Sequence, residues 1–282
     1  MTAFDPRLTP ARADLAAKHL QGTVSAARYV EGTLREVVEP QAPLRRAPSP
    51  DASLLTEALM GEHVTVYETT DEGWAWGQLA GDKYVGWIPA NALAAPGPGS
   101  THKVSAPRTF LFPGPDIKLP PLAALPFGAR LALVRHHEPF AVTAGGYVPA
   151  QHVKPIDVAE HDFVAVAERF VGVPYLWGGK TSLGIDCSGL VQVALMAGGI
   201  VCPRDSDMQE RALGTPIGVD RDLSDLRRGD LLFWKGHVAI VRDPHTLLHA
   251  NAHHMAVAVE PLSAALDRIR RTGSELTSVK RL

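Results

Sequence analysis

The stretch "GIDCSGLVQVALMAGG", Gly184 to Gly199, decides how this chain is read. It opens as a loop, becomes an apolar helical pattern over Ser188 to Ala197, and stops at the paired glycines Gly198 and Gly199. Cys187, one of only two cysteines, stands at the first turn of that helix. A helix N-terminus carries partial positive charge, which favours a thiolate. Asp186, just before it, works the other way. One reading makes Asp186 a helix N-cap; the other makes it a contact for a cationic ligand.

A nucleophilic thiol needs a proton acceptor. With twelve histidines in the chain, a nearby histidine is uninformative by itself. The pattern "HVAIVRD-PH-TLLHANA" narrows the choice. It reads as a hairpin turning near Asp243 and Pro244, which sets His237 and His249 opposite or nearly opposite each other. Opposed residues share a sheet face with Cβ atoms about 4.5–5.5 Å apart. Two imidazoles that close can act as a base and its orienter. Cys187, His237 and His249 then form a set for acyl transfer. His249 also has a plainer reading, as a satisfied core histidine.

Working outward, "DVAEHDFVAVAERFVG" (Asp157 to Gly172) has helical spacing, and "DLLFW" (Asp230 to Trp234) reads as a further strand. A cysteine-bearing helix ahead of an antiparallel sheet is an α+β layout. Upstream the texture is short β-like runs such as "HVTVYET", "GWAWGQLA" and "YVGWIPANAL", separated by Gly and Pro. "GWIPANAL" (Gly86 to Leu93) recurs as "GYVPAQHV" (Gly146 to Val153), which suggests two copies of one small β-domain. We divide the chain into a leader (1–25), a first barrel (26–95), a second barrel (100–155) and a C-terminal domain (156–282), with "APGPGS" as linker.

Composition bounds the rest. The chain has 282 residues, 45% hydrophobic and 21% charged, as in an ordinary soluble protein of two or three domains. A net charge of −2 with no basic run argues against nucleic acid, and no stretch approaches the roughly 20 apolar residues of a membrane span. The N-terminus lacks the apolar core of a secretory signal, so we expect a cytoplasmic location with Cys187 reduced.

The motifs "VPYLWGGKTSLGIDCSGLVQ", "PRDSDMQ", "RRGDLLFW" and "GHVAIV…LLHA" closely resemble the NlpC-type papain-fold cysteine peptidases of bacterial cell-wall metabolism, over about residues 157 to 282. The resemblance implies a papain-like domain of helices packed on an antiparallel sheet, preceded by two small SH3-like barrels. It implies Cys187 as nucleophile, His237 as base and His249 as the third polar residue. The barrels resemble those of the subgroup that cleaves γ-D-glutamyl-diamino-acid bonds in murein peptides with a free N-terminal L-Ala. By that likeness the substrate is a murein tripeptide or tetrapeptide. Asp186, Ser188 and Ser206 would meet it, Arg204 and Asp205 would support that wall, the Tyr175 hydroxyl would point into the site, and Glu62 and Tyr84 would close over the amine. No metal or organic cofactor is implied.

Rival readings remain open at this point. Tyr84 and Trp87 fit a barrel core as well as a ligand contact. His136, His137, His253 and His254 read as surface loop residues, and Cys202 as structural. A zinc site built from Cys187, Cys202, His237 and His249 lacks a C-x-x-C or H-x-x-x-H clamp. A papain-fold amidase or acyltransferase, or a non-catalytic murein-binding protein, are the functional alternatives.

Overall fold

Alternating apolar residues write the N-terminal half as strands, and the buried Val64 and Val66 of His63–Thr69 show the period. A computed structural model of the protein describes residues 4–218, 223 and 225–282. The first three residues of the expected leader, and 219–222 and 224 of the expected C-terminal domain, lie outside the described residues. The chain divides into two compact units, Met1–Val158 and Ala159–Leu282. Both β-rich stretches fall in the first. None of the described helices is long and apolar enough to cross a membrane.

In the first unit a seven-stranded sheet runs in the order Leu54–Leu59, Gln41–Arg45, Val85–Pro89, Trp74–Leu79, His63–Thr69, Thr33–Val37 and Leu93–Ala94. The second stretch forms three small sheets around Val104, Leu125, Ala129, Leu131, Ala141, Val148 and Val153. The sequence echo is also a structural one. Val85–Pro89 leads into a 3-10 turn, Ala90–Ala92, and then Leu93–Ala94; Gly146–Pro149 leads into Ala150–His152 and then Val153–Pro155. In both copies Pro immediately precedes the turn, with φ −56° and −51° at Pro89 and Pro149. Proline's fixed φ suits that entry. In both, the closing strand returns antiparallel to the opening one, Leu93 against Val37 and Val153 against Val104.

Two expectations are corrected here. Residues 4–25, expected as a leader ahead of the first barrel, pack into the first unit. Leu15–Ala17 is a fully buried strand beside Arg28–Val30, with Leu15 packed on Trp76, Val85 and Trp87. Arg12 lies over the Trp76 and Trp87 rings, and the Val85 N–H donates to the Arg7 carbonyl. A short apolar run covers exposed aromatic surface, a pairing that polar composition alone conceals. His136 and His137 also leave the loop class, because their backbones pair with Ala141 and Phe140 in the strand Leu133–His137.

Among the described residues the second unit has a six-stranded antiparallel sheet, a two-stranded ribbon of Lys180–Thr181 and Gly184–Ile185, and four helices. The order of the larger sheet is Thr215–Ile217, Leu276–Arg281, Leu231–Trp234, His237–Asp243, Thr246–Asn251 and Ala256–Pro261. The helices are α1 (Phe163–Glu168), α2 (Cys187–Ala197), α3 (Ser206–Ala212) and α4 (Leu262–Arg271). Helix α1 is shorter than the apolar spacing from Asp157 suggests. Asp162 sets its start by accepting from the Ala165 N–H at 3.0 Å, and a capped start overrides periodicity. Helix α2 buries all its residues except Met196 and packs on the strands His237–Asp243 and Thr246–Asn251.

Candidate active site

Asp186 caps α2. Its Oδ1 accepts from the Gly189 N–H at 2.7 Å, and its Oδ2 accepts from the Gly178 N–H at 2.8 Å. Arg204, 1% exposed, donates from Nη1 to Oδ1 and from Nη2 to Oδ2, a bidentate pair at 2.9 and 2.8 Å. The same guanidinium reaches the Ser188 hydroxyl and the Gly179 carbonyl. Close approach explains the glycine of "DCSG": a Cβ on Gly189 would sit 2.4 Å from the Gly179 oxygen. The first turn of α2 is therefore pinned to its preceding loop by charge and by the absence of a side chain.

The hairpin brings the two histidines together by a route that sequence counting misses. Ile240 pairs with Leu248 and Val241 with Leu247, but Asp243 pairs with Thr246, leaving Arg242 as an extra residue in the strand. Continuing the register by one sets His249 across from Ala239, so His237 is its diagonal neighbour on the same face. Were Arg242 instead paired in a regular ladder from Asp243↔Thr246, His249 would face Ile240, and His237 would point to the other side, because a one-residue slip exchanges the faces. The pair is diagonal rather than directly opposed, with His237 Nε2 and His249 Nδ1 3.0 Å apart and ring centroids 5.2 Å apart.

On its other diagonal His249 meets Glu260. His249 pairs with Ala258, and Glu260 lies two residues further along that strand. His249 Nε2 is 3.1 Å from Glu260 Oε2, and Arg268 of α4 donates to both Glu260 oxygens at 3.0 and 2.6 Å. Sequence reasoning missed Glu260 and Arg268. A lone acid in the apolar alternation "AVAVEP" was the available signal.

The thiol lies at the His237 end of the sheet, since the backbone amides of Val238 and Ser188 hydrogen-bond to the Cys187 sulfur. Burial, then the charge of Asp186, pushes that thiol up to about 12, against the amides and Arg204. Burial, then the His249 ring and Arg268, pushes His237 down to about 3. Burial also takes His249 to about 4, outweighing the opposite effect of Glu260. The resting site is a neutral thiol beside neutral imidazoles. Such a pair can transfer a proton as the sulfur attacks, without storing a thiolate.

Of the remaining expected residues, Tyr175 is part-buried and its hydroxyl is raised by burial and then by Cys187 and Asp186, which places it near both. Ser188 is buried, while Asp205 and Ser206 are half-buried at the start of α3. Glu62 and Tyr84 belong to the first unit. Glu62 Oε2 accepts from the Leu59 N–H at 2.8 Å within a turn, and Tyr84 is 3% exposed. Trp87 is buried in the same barrel. Cys202 is buried and its thiol contacts the Pro203 carbonyl; neither cysteine is in a disulfide. No three His, Cys, Asp or Glu among the described residues are grouped to hold a metal ion. His253 and His254 are exposed in the turn before Ala256–Pro261.

Two segments of the chain match known protein families. Residues 172–269 match the NlpC/P60 family, and residues 44–93 match the bacterial dipeptidyl-peptidase Sh3 domain. A Lysinibacillus sphaericus protein named dipeptidyl-peptidase 6 is 36% identical over 126 residues, which are 42% of this chain and 45% of that protein. A Bacillus cereus protein named γ-D-glutamyl-L-lysine dipeptidyl-peptidase is 28% identical over 243 residues, covering 74% of this chain and 71% of its own length. The crystal structure of an NlpC/P60 family protein from Bacillus cereus shares the fold, with a TM-score of 0.72 at 22% identity over 88% of this chain and 99% of that one. The chain thus carries an NlpC/P60 domain of papain-like fold behind an N-terminal SH3-type domain.

Proposed function

We propose that the protein is a cysteine peptidase that cleaves the γ-D-glutamyl-diamino-acid bond of murein peptides bearing a free N-terminal L-Ala, in cytoplasmic peptide recycling. The observation that carries this reading is the Cys187, His237 and His249 set at the start of α2 and on the adjoining hairpin. The names of the relatives, dipeptidyl-peptidases and γ-D-glutamyl-L-lysine dipeptidyl-peptidases, support the bond.

In this mechanism the Cys187 sulfur attacks the γ-glutamyl carbonyl carbon as its proton passes to His237. Among the first-turn amides of α2, that of Gly189 is held by Asp186 and that of Ser188 by the sulfur, so the Cys187 N–H is the one that faces the oxyanion. Collapse expels the diamino-acid amine, which takes the proton from His237. Water then hydrolyses the thioester and releases L-Ala-D-Glu. Asp186 already accepts from Gly178, Gly189, Ser188 and Arg204, which favours its role as cap and ion-pair partner. The half-buried Asp205 and Ser206 are then the better placed to meet substrate polar groups. Glu62 and Tyr84 enter the proposal by family likeness.

The test is mass spectrometry of L-Ala-γ-D-Glu-L-Lys and its diaminopimelate counterpart, each with free and acetylated amino termini. Hydrolysis of the free peptides by wild type but not Cys187→Ser, with Cys202→Ala active, is the expected result. Equal loss at both cysteines, or cleavage of the acetylated peptides at the same rate, overturns it.

A further inference from the structure

The described site ends at His249, yet the hydrogen-bonded chain continues to Glu260 and Arg268. His249 is 1% and Glu260 7% exposed, so solvent does not decide which ring nitrogens carry protons. Resting on the peptidase reading above, we propose that Glu260 is a positioning residue: through His249 it sets the tautomers of both imidazoles and leaves Nδ1 of His237 as the atom that receives the thiol proton.

Donor and acceptor counting along the chain of contacts fixes where each hydrogen sits. Arg268 donates to both Glu260 oxygens. Burial raises the Glu260 carboxyl, but Arg268 and His249 outweigh it and hold it below the ordinary value. An ionised carboxylate only accepts, so His249 Nε2 must carry the hydrogen of their 3.1 Å contact. Neutral His249 then has a bare Nδ1, which must accept. The hydrogen of the 3.0 Å contact therefore sits on His237 Nε2. Neutral His237 is left with its lone pair on Nδ1. When the thiol proton moves there, the sulfur lone pair forms the bond to the carbonyl carbon and the imidazolium keeps its Nε2–H on His249.

The charged and titratable groups acting on these rings are His249, Arg268 and Glu260 for His237, and Glu260, Arg268 and His254 for His249. Glu260 is the anion among them, and it touches the His249 ring. Sheet register provides the alignment, since His237 and Glu260 flank His249 on opposite diagonals of one face.

The experiment is long-range proton–nitrogen NMR on the 15N-labelled full chain at pH 7, beside kinetics of Glu260→Gln. Wild type should show both rings protonated at Nε2 and bare at Nδ1. Glu260→Gln, whose amide can donate as well as accept, should populate the other tautomers and lower kcat at least roughly tenfold, with KM within about twofold. Protonation of His237 at Nδ1 in wild type, or unchanged kcat in the variant, overturns the proposal. The wild-type spectrum decides even if Glu260→Gln does not fold. It also needs no substrate, so uncut murein peptides would fail the substrate reading and leave this one to be judged on its own.

Discussion

Both oxygens of the Asp186 carboxylate rest on the Arg204 guanidinium, at 2.9 and 2.8 Å, in a pair with side chains 9% and 1% exposed. The acid beside the nucleophile is thus internally neutralised before any ligand arrives. Asn caps almost as well as Asp, so a purely capping Asp186 predicts that Asp186→Asn costs about 1 kcal/mol or less. Breaking a buried ion pair leaves a charge without its partner and costs roughly 3–5 kcal/mol. We expect the larger loss in urea unfolding, and less than additive damage in Asp186→Asn with Arg204→Met. A melting temperature unchanged by Asp186→Asn would refute the pairing as the main role.

The neutral resting site has a chemical signature. With Cys187 near 12, alkylation of the free protein by iodoacetamide should be slow at pH 7 and keep rising beyond pH 9. A rate already level at pH 5 to 6 would reveal a stored thiolate–imidazolium pair instead. Labelling sites are read by peptide mass mapping, with Cys202→Ala to isolate Cys187.

Much of this was legible in the sequence because it depends on local pattern. The Cys187 helix, the strand His237–Asp243 and the repeat of "GWIPANAL" as "GYVPAQHV" all follow from short-range pattern, whereas the 3-10 turn that each copy of the repeat makes came from the structure. What was hidden depends on partners far along the chain. The burial of Leu15–Ala17 is set by Trp76 and Trp87, and the role of Glu260 by a register that only the folded sheet reveals. The saturation of Asp186 is of the same kind, since Arg204 is 18 residues away and wholly buried.

Buried neutral histidines should make the protein acid-sensitive. His249 falls from about 6.5 unfolded to about 4 folded, so between those values the unfolded state binds more protons. Stability then drops as pH falls through that window, and is unaffected by this group above it. The loss from pH 7 to pH 5 is roughly 2 kcal/mol for His249 alone. Urea midpoints across pH should show this slope, and His249→Gln should flatten it by about that amount. A parallel slope in the variant would mean that other groups carry the acid response.

The last prediction comes from the bulge at Arg242. This residue is the extra one between Val241↔Leu247 and Asp243↔Thr246. Deleting it joins Val241 directly to Asp243 and leaves Ile240↔Leu248 in place, so His237 should stay on the His249 face. His237 is also held from the other side by its pairing with Trp234. The deletion forfeits the part-exposed ion pair between Arg242 and Glu168, worth about 1 kcal/mol or less. Arg242→Ala should cost about the same, with the bulge kept. Activity on the free tripeptide should therefore remain within about tenfold of wild type in both variants, whereas deleting Ala239 moves His237 by one place and should abolish it. Loss of activity on removing Arg242, in a protein that still melts cooperatively, would show that the bulge itself aims His237, and that the register beyond it is not enough.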